Sequence, residues 1–324
     1  MKFNVSQLKG KLAPFLGAVI VLAVLPVVGA PRTWILYLFV FFMYLTMANM
    51  FNLLAGYSGL LSLCQPAFIG LAGYTLVIIT WSGLPFYLGV IVGGIIAALF
   101  AMLISIPVFR MKGIYFTVGT LVVPEALKVV FLLWRPVGGE LHGGGAGYMI
   151  KGVSGLNTVD TYWMALALAF ISIIFMHLML NSKFGLGLAA IRDNDNTAAS
   201  SGVNVFRLKL TSFVVSAFVT GLAGGIFYIY QGYIEPTSGF NISWTMTLLL
   251  AVAIGGMGVE EGPIVGTAIV VILHFMLAKY AGISLLIQGV ILVIIMLTVP
   301  EGIMGFVRRK RIYSSIFQLI TGRR

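Results

Sequence analysis

Long apolar runs separated by short polar breaks make up most of this chain. The runs cover residues 12–30, 33–56, 66–82, 85–108, 113–134, 161–180, 210–230, 237–254, 263–279 and 283–299. Most approach the roughly 20 residues a helix needs to cross a hydrocarbon core of about 30 Å. The pattern predicts an all-α integral membrane protein, a polytopic bundle of about ten transmembrane helices with discontinuous segments. One transmembrane domain is expected over 1–324, with a polar loop at 182–209 and a basic tail at 307–324.

Charge tests the count. With the N-terminus inside, ten crossings place Lys2, Lys9, Lys11, Arg110, Lys112, Lys183, Arg192, Arg207, Lys209 and the basic residues from Arg308 to Arg324 on the inner side. Only Arg32, Arg135, Lys151 and Lys279 fall outside, and Lys128 lies within a span. Eight crossings would put either the 181–209 loop or the tail outside, against the rule that basic loops stay cytoplasmic. Trp34, Trp81, Trp134, Trp163 and Trp244 all fall near predicted span ends, where an amphipathic indole prefers to sit. At the N-terminus, the run from Leu12 to Ala30 exceeds a signal-peptide core of about 7 to 15 residues, so it is read as a retained first span.

Composition agrees. The 324 residues are 60% hydrophobic and 9% charged, with a mean hydropathy of +1.06. Soluble domains carry about 25% charged residues to cover a water-facing surface. The net charge of +11 follows from topology, so no nucleic-acid partner is implied. A single Cys64 excludes an internal disulfide, and His142, His177 and His274 stand too far apart for a metal-ligand spacing.

Glycine spacing adds detail. Gly89 and Gly93, and Gly221 and Gly225, form G-x-x-x-G steps of the kind that let helix backbones approach in lipid. Two other regions, 55–74 and 254–266, interrupt apolar runs with G-x-x-G followed by proline. Lipid cannot satisfy freed backbone groups, so such breaks either line a protected route or are simple cytoplasmic turns. If they line a route, Gly59, Ser62, Gln65, Gly255, Gly256 and Gly258 come nearest to it.

No catalytic arrangement is visible, and there is no G-x-x-x-x-G-K-[ST] loop to bind ATP. The chain is not expected to be an enzyme or to bind a cofactor. Glu125 and Lys128 share a helix face inside the fifth span, just after Pro124. They read either as a polar element of a transport path or as a mutual ion pair. The polar segment SKFGLGLAAIRDNDNTAASSGVNVFRLK, residues 182–209, offers N-cap residues at Asp193, Asn194, Asp195 and Asn196 before a small-residue stretch that Gly202 can stop. That predicts a short helix beneath the membrane, either a docking element or a solvated loop.

From about Asn52 to Gly305 the chain resembles the permease subunits of bacterial branched-chain amino acid ABC importers, the Liv-type systems, and more closely their M-type permease. The similarity rests on ordered motifs: NLLAGYSGLLSL with AFIGLAGYT, GIYFTVGTLVVPEALKVV, GLAAIRDNDNTAASSGVNV, AFVTGLAGGIFYIYQGYIEP, AIGGMGVEEGPIVGTAIV and VPEGIMG. The resemblance implies a multi-pass protein of the bacterial inner membrane with both termini cytoplasmic. It implies a second homologous permease, two cytoplasmic ATPases that use the ATP, and an extracytoplasmic binding protein as partners. In the family a cytoplasmic RDNE-AA-G stretch couples to the ATPases, and here it matches Arg192, Asp193, Asn194, Asp195, Ala198, Ala199 and Gly202. The chain departs from the family at HGGGAG, with His142 and Ala146, and at Cys64-Gln65-Pro66. The expected function is import of branched-chain or other apolar amino acids. A urea or short-amide permease, or a stand-alone transporter using Glu125, are the alternatives.

Overall fold

The structure is a computed structural model that describes residues 17, 19–138, 143–153, 155–277, 281–299 and 301–307. The start of the first predicted span, the N-terminal lysines, His142, Lys279 and the tail from Arg308 onward lie outside the described residues. The spans follow as helices: α1 (Arg32–Asn52), α2 (Gln65–Trp81), α3 (Phe86–Val108), α4 (Ile114–Leu133) and α5 (Thr158–Leu180). Two short helices come next, α6 (Lys183–Asp193) and α7 (Asp195–Ser200). They precede α8 (Val205–Gln231), α9 (Pro236–Gly239), α10 (Ser243–Gly255), α11 (Gly262–Leu277) and α12 (Ala281–Thr298). Residues 19–24, within the first predicted span, are helical too.

Among the described residues, 6 helices are long and apolar enough to cross a membrane. Three more, Gln65–Trp81, Gly262–Leu277 and Leu286–Ile295, are apolar but shorter. The chain is thus a polytopic all-α membrane protein. Its exposed leucines, isoleucines and valines, such as Ile91, Leu103, Val122 and Leu286, are the surface that lipid requires.

Glycine sets the packing. An added Cβ on Gly221 would stand 2.8 Å from the Ala97 Cβ and 3.1 Å from the Gly94 Cα, and one on Gly93 would stand 3.0 Å from the Ala72 carbonyl oxygen. The two G-x-x-x-G steps therefore meet, and α3 is wedged between α2 and α8. Without a hydrophobic drive between helices in lipid, this close van der Waals contact is what joins them.

The bundle has two distinct ends. One carries Arg110, Lys112, Lys183, Arg192, Arg207 and Lys209, together with α6 and α7; we call it the basic end. At the opposite end, β1 (Tyr148–Met149) pairs antiparallel with β2 (Tyr233–Ile234). All five tryptophans sit on helix termini there, and Trp81 donates through Nε1 to the Met149 carbonyl at 2.9 Å. The span predicted over 237–254 is interrupted near its start, because Phe240 turns inward between α9 and α10 to fill the space left by Gly70 and to pack on Tyr74 and Phe131.

Replacing Gly224, whose added Cβ would lie 2.8 Å from the Ile69 Cα, tests the packing. Gly224→Ala should destabilise the protein by about 1–3 kcal/mol through overpacking. Gly289→Ala, with nothing within 4 Å, should not. Thermal unfolding in detergent distinguishes them.

Candidate functional site: a junction of two helix breaks at the basic end

The two Gly-rich breaks differ in form. After α1 the helix loosens into a π-turn at Leu53–Tyr57, and residues 58–64 then run without regular structure to α2. This segment climbs back into the bundle. The Leu63 N–H donates to Thr120 Oγ1 at 3.0 Å, and its carbonyl accepts from Thr245 Oγ1 at 3.3 Å. Thr120 lies six residues inside α4 and Thr245 ten residues from the basic end of α10, or roughly 9–15 Å deep at 1.5 Å per residue. Gln65 opens α2 at this depth, fully buried. Its Nε2 donates to Ser216 Oγ at 3.4 Å, and its Oε1 accepts from Thr220 Oγ1 at 3.0 Å. Pro66 follows in the first turn, where its missing N–H costs nothing. The first break is therefore inserted.

The second break is a tight turn at the basic end. Gly256 and Gly258 adopt φ of +116° and +74°, which a side chain would resist. Pro263 then sits in the first turn of α11.

One side chain ties the breaks together. Asn52, fully buried at the end of α1, donates through Nδ2 to the Val259 carbonyl at 3.0 Å. Its Oδ1 accepts from the Gly258 N–H at 2.8 Å. A single amide thus satisfies one donor and one acceptor freed by the turn. Gly56 makes room, since a Cβ there would lie 2.2 Å from Asn52 Oδ1 and 2.4 Å from the Gly258 nitrogen.

The polar loop closes over this junction. Ser182 caps α6 by accepting from the Phe184 N–H, and Leu188 of α6 packs with Leu53 and Met176. That places Arg192, at the end of α6, over both breaks. A Cβ on Gly258 would lie 2.2 Å from Arg192 Nη1, and one on Gly59 3.6 Å from the Arg192 Cα. Two further contacts hold the turn: His177 Nδ1 stands 2.9 Å from Glu260 Oε2, and a Cβ on Gly302 would lie 2.4 Å from Gly256.

The short helix expected after the Asp-Asn run is α7. Asn194 caps it, accepting from Asn196 N–H at 2.9 Å and Thr197 N–H at 3.1 Å. Gly202, at φ +84°, ends it. Asp195 pairs with Lys209 of α8, Ala198 is buried against the bundle, and Asp193 and Ala199 face outward. Of the residues expected near a route, Gly59 is exposed at the basic end, while Ser62, Gln65, Gly255 and Gly256 are buried and Gly258 lies under Arg192. Glu125 and Lys128 stand apart, paired with each other on α4. Among the described residues no group of three His, Cys, Asp or Glu could hold a metal ion.

Asn52 was not singled out in the sequence, although amides such as Asn49 and Asn52 in a long apolar run are costly enough to signal partners. Four of the motifs that carry the family resemblance place residues at this junction: Asn52 and Gly56, Arg192, Gly256 and Gly258, and Gly302.

The chain belongs to the family described as branched-chain amino acid transport system / permease component, matched over residues 34–300. It is 26% identical over 283 residues to the high-affinity branched-chain amino acid transport system permease protein LivM of Escherichia coli strain K12, covering 79% of this chain and 66% of that protein. It is 24% identical over 231 residues to a probable branched-chain amino acid transport permease protein LivM of Methanocaldococcus jannaschii, covering 67% of each. Over 159 residues it is 28% identical to the ribose import permease protein RbsC of Bacillus subtilis, covering 48% of each. The chain thus spans just under two thirds of the length of its Escherichia coli relative. No solved structure gives a significant match.

Asn52→Ala would leave the Gly258 N–H and Val259 carbonyl unpaired in a buried site. At about 1–3 kcal/mol per unsatisfied group, a loss of roughly 2–6 kcal/mol is expected. Thr46→Ala, which removes only a bond to Phe42 of its own helix, should cost under about 1 kcal/mol. Denaturation in detergent micelles reads both.

Proposed function

We propose that this chain is the transmembrane permease subunit of an ATP-binding-cassette importer for branched-chain or other apolar amino acids. In this reading it works with a second homologous permease, two cytoplasmic ATPases and an extracytoplasmic binding protein. ATP is bound and hydrolysed by the ATPases, and this chain binds no cofactor. The basic end faces the cytoplasm of a bacterial inner membrane, with both termini on that side, as its lysines and arginines favour.

The observation that carries the reading is the seat of Arg192. The RDND segment is not a free loop; its arginine lies against Gly258 and beside Gly59, where both breaks meet. A push on α7 from an ATPase would reach Arg192 through the peptide that joins α7 to α6. From there it would bear on the second break through Gly258 and on the first through Asn52 and Gly56. Such a chain of rigid contacts can bias a rocking transition between two arrangements of packed helices.

The stand-alone reading needs Glu125 as an ion site. Its carboxylate is instead engaged by Lys128 three residues on.

Ala199→Pro should break α7 and abolish ATP-driven uptake by the reconstituted transporter, while insertion and ATPase docking at other contacts persist. Uptake is read with radiolabelled leucine and insertion by detergent-resistant yield. Normal uptake from this variant, or gradient-driven uptake by the chain alone that Glu125→Gln abolishes, would contradict the proposal.

A further inference from the structure

At the end opposite the junction, a cleft of about 550 Å³ opens between α1, α8, α10, α11 and α12. None of the glycines expected near a route lines it. Its wall is aromatic: Trp244 packs edge-on against Phe227 at 4.8 Å and tilts over Tyr44 at 5.7 Å. Trp244 is pinned in this position, since its Nε1 donates to the Ser238 carbonyl at 3.0 Å. Tyr44 lies 12 residues into α1, about 18 Å from that end by helical rise. The cleft thus reaches well into the membrane.

Beside these rings the lining is polar, with Gln231, Asn241, Ser243, Thr247, His274 and Gln288 among its side chains. Among the described residues that line it, Glu235 is the one carboxylate and none is a lysine or arginine. This stands out in a chain of net charge +11. Tyr228, 1% exposed, also borders the cleft, with its hydroxyl buried beside Ser238. At the mouth, Tyr233 is committed elsewhere, donating to the Ala146 carbonyl. Burial and then the Glu235 charge raise its pKa, so it stays neutral.

We propose that this cleft is a solute-binding site for a zwitterionic amino acid with an apolar side chain. Glu235 takes the ammonium, and Tyr44, Phe227 and Trp244 receive the side chain. The pairing of carboxylate with ammonium is the strongest of the contacts because it is charge-assisted. The substrate class rests on the permease reading; the location and the division of roles rest on the cleft.

Saturation-transfer NMR on the purified chain in lipid nanodiscs tests it, with L-leucine, leucinamide and α-ketoisocaproate as probes and empty nanodiscs as the blank. Leucine and leucinamide should bind, and α-ketoisocaproate, which lacks the ammonium, should bind about tenfold more weakly or worse. Glu235→Gln should cost leucine about tenfold in affinity. Glu235→Asp should recover part of it, which a misfolded chain would not. No leucine signal above the blank, equal binding of the keto acid, or unchanged affinity in Glu235→Gln would each overturn the proposal. The readout involves no ATPase. A chain that binds leucine yet copurifies no ATPase would therefore refute the importer reading and leave this site standing.

Discussion

A backbone that leaves the helix inside a bilayer must find partners for its freed amide groups, because lipid offers none. In this chain the buried amide of Asn52 meets that demand for the turn after α10, giving one hydrogen bond and accepting another. The rest of the basic end is arranged around that clamp. Gly56 and Gly258 lack side chains so that two backbones can approach it, and Arg192 fits into the space that remains. Leu188 anchors α6 on the first break, and the His177–Glu260 contact fixes the far side of the second. A change in the position of α6 or α7 cannot be absorbed by slack here, since neighbouring atoms already stand at contact distance.

The two ends of the molecule do different work with different chemistry. The basic end is close-packed, rich in glycine, and holds its polar groups in mutual hydrogen bonds. The opposite end has a two-residue ribbon, interfacial tryptophans and an open cleft with a single carboxylate. Between them run Gln65, Ser216 and Thr220, a buried polar string that starts where the inserted segment meets α2.

Much of this was legible in the sequence. Hydropathy alone located the helices to within a few residues, because lipid punishes any other arrangement. The N-cap residues around Asn194 and the stop at Gly202 foretold α7, since both act within one turn of chain. The G-x-x-x-G steps foretold close helix packing but not which helices would meet. The breaks were harder. Their glycines suggested exposed backbone along a route, whereas Gly258 is occupied by Arg192 and Gly56 closes on Gly258, partners 66 and 202 residues away in the chain. Such pairings depend on the fold and leave no local periodicity. The cleft was missed although most of its lining falls in the one stretch from Phe227 to Thr247, because only the fold brings Tyr44, His274 and Gln288 across to close it.

In the coupling proposed for this chain, α7 and the second break move as one body during an ATP-driven cycle. Spin labels at Ala199 and Met257, with Cys64 replaced by serine, would report it by pulsed dipolar spectroscopy in the reconstituted complex, with and without ATP. The account predicts an unchanged distance between these two labels, while each shifts relative to a third label at Ser82 on the opposite end. A distance between Ala199 and Met257 that changes with ATP, with the Met257–Ser82 distance constant, would contradict it.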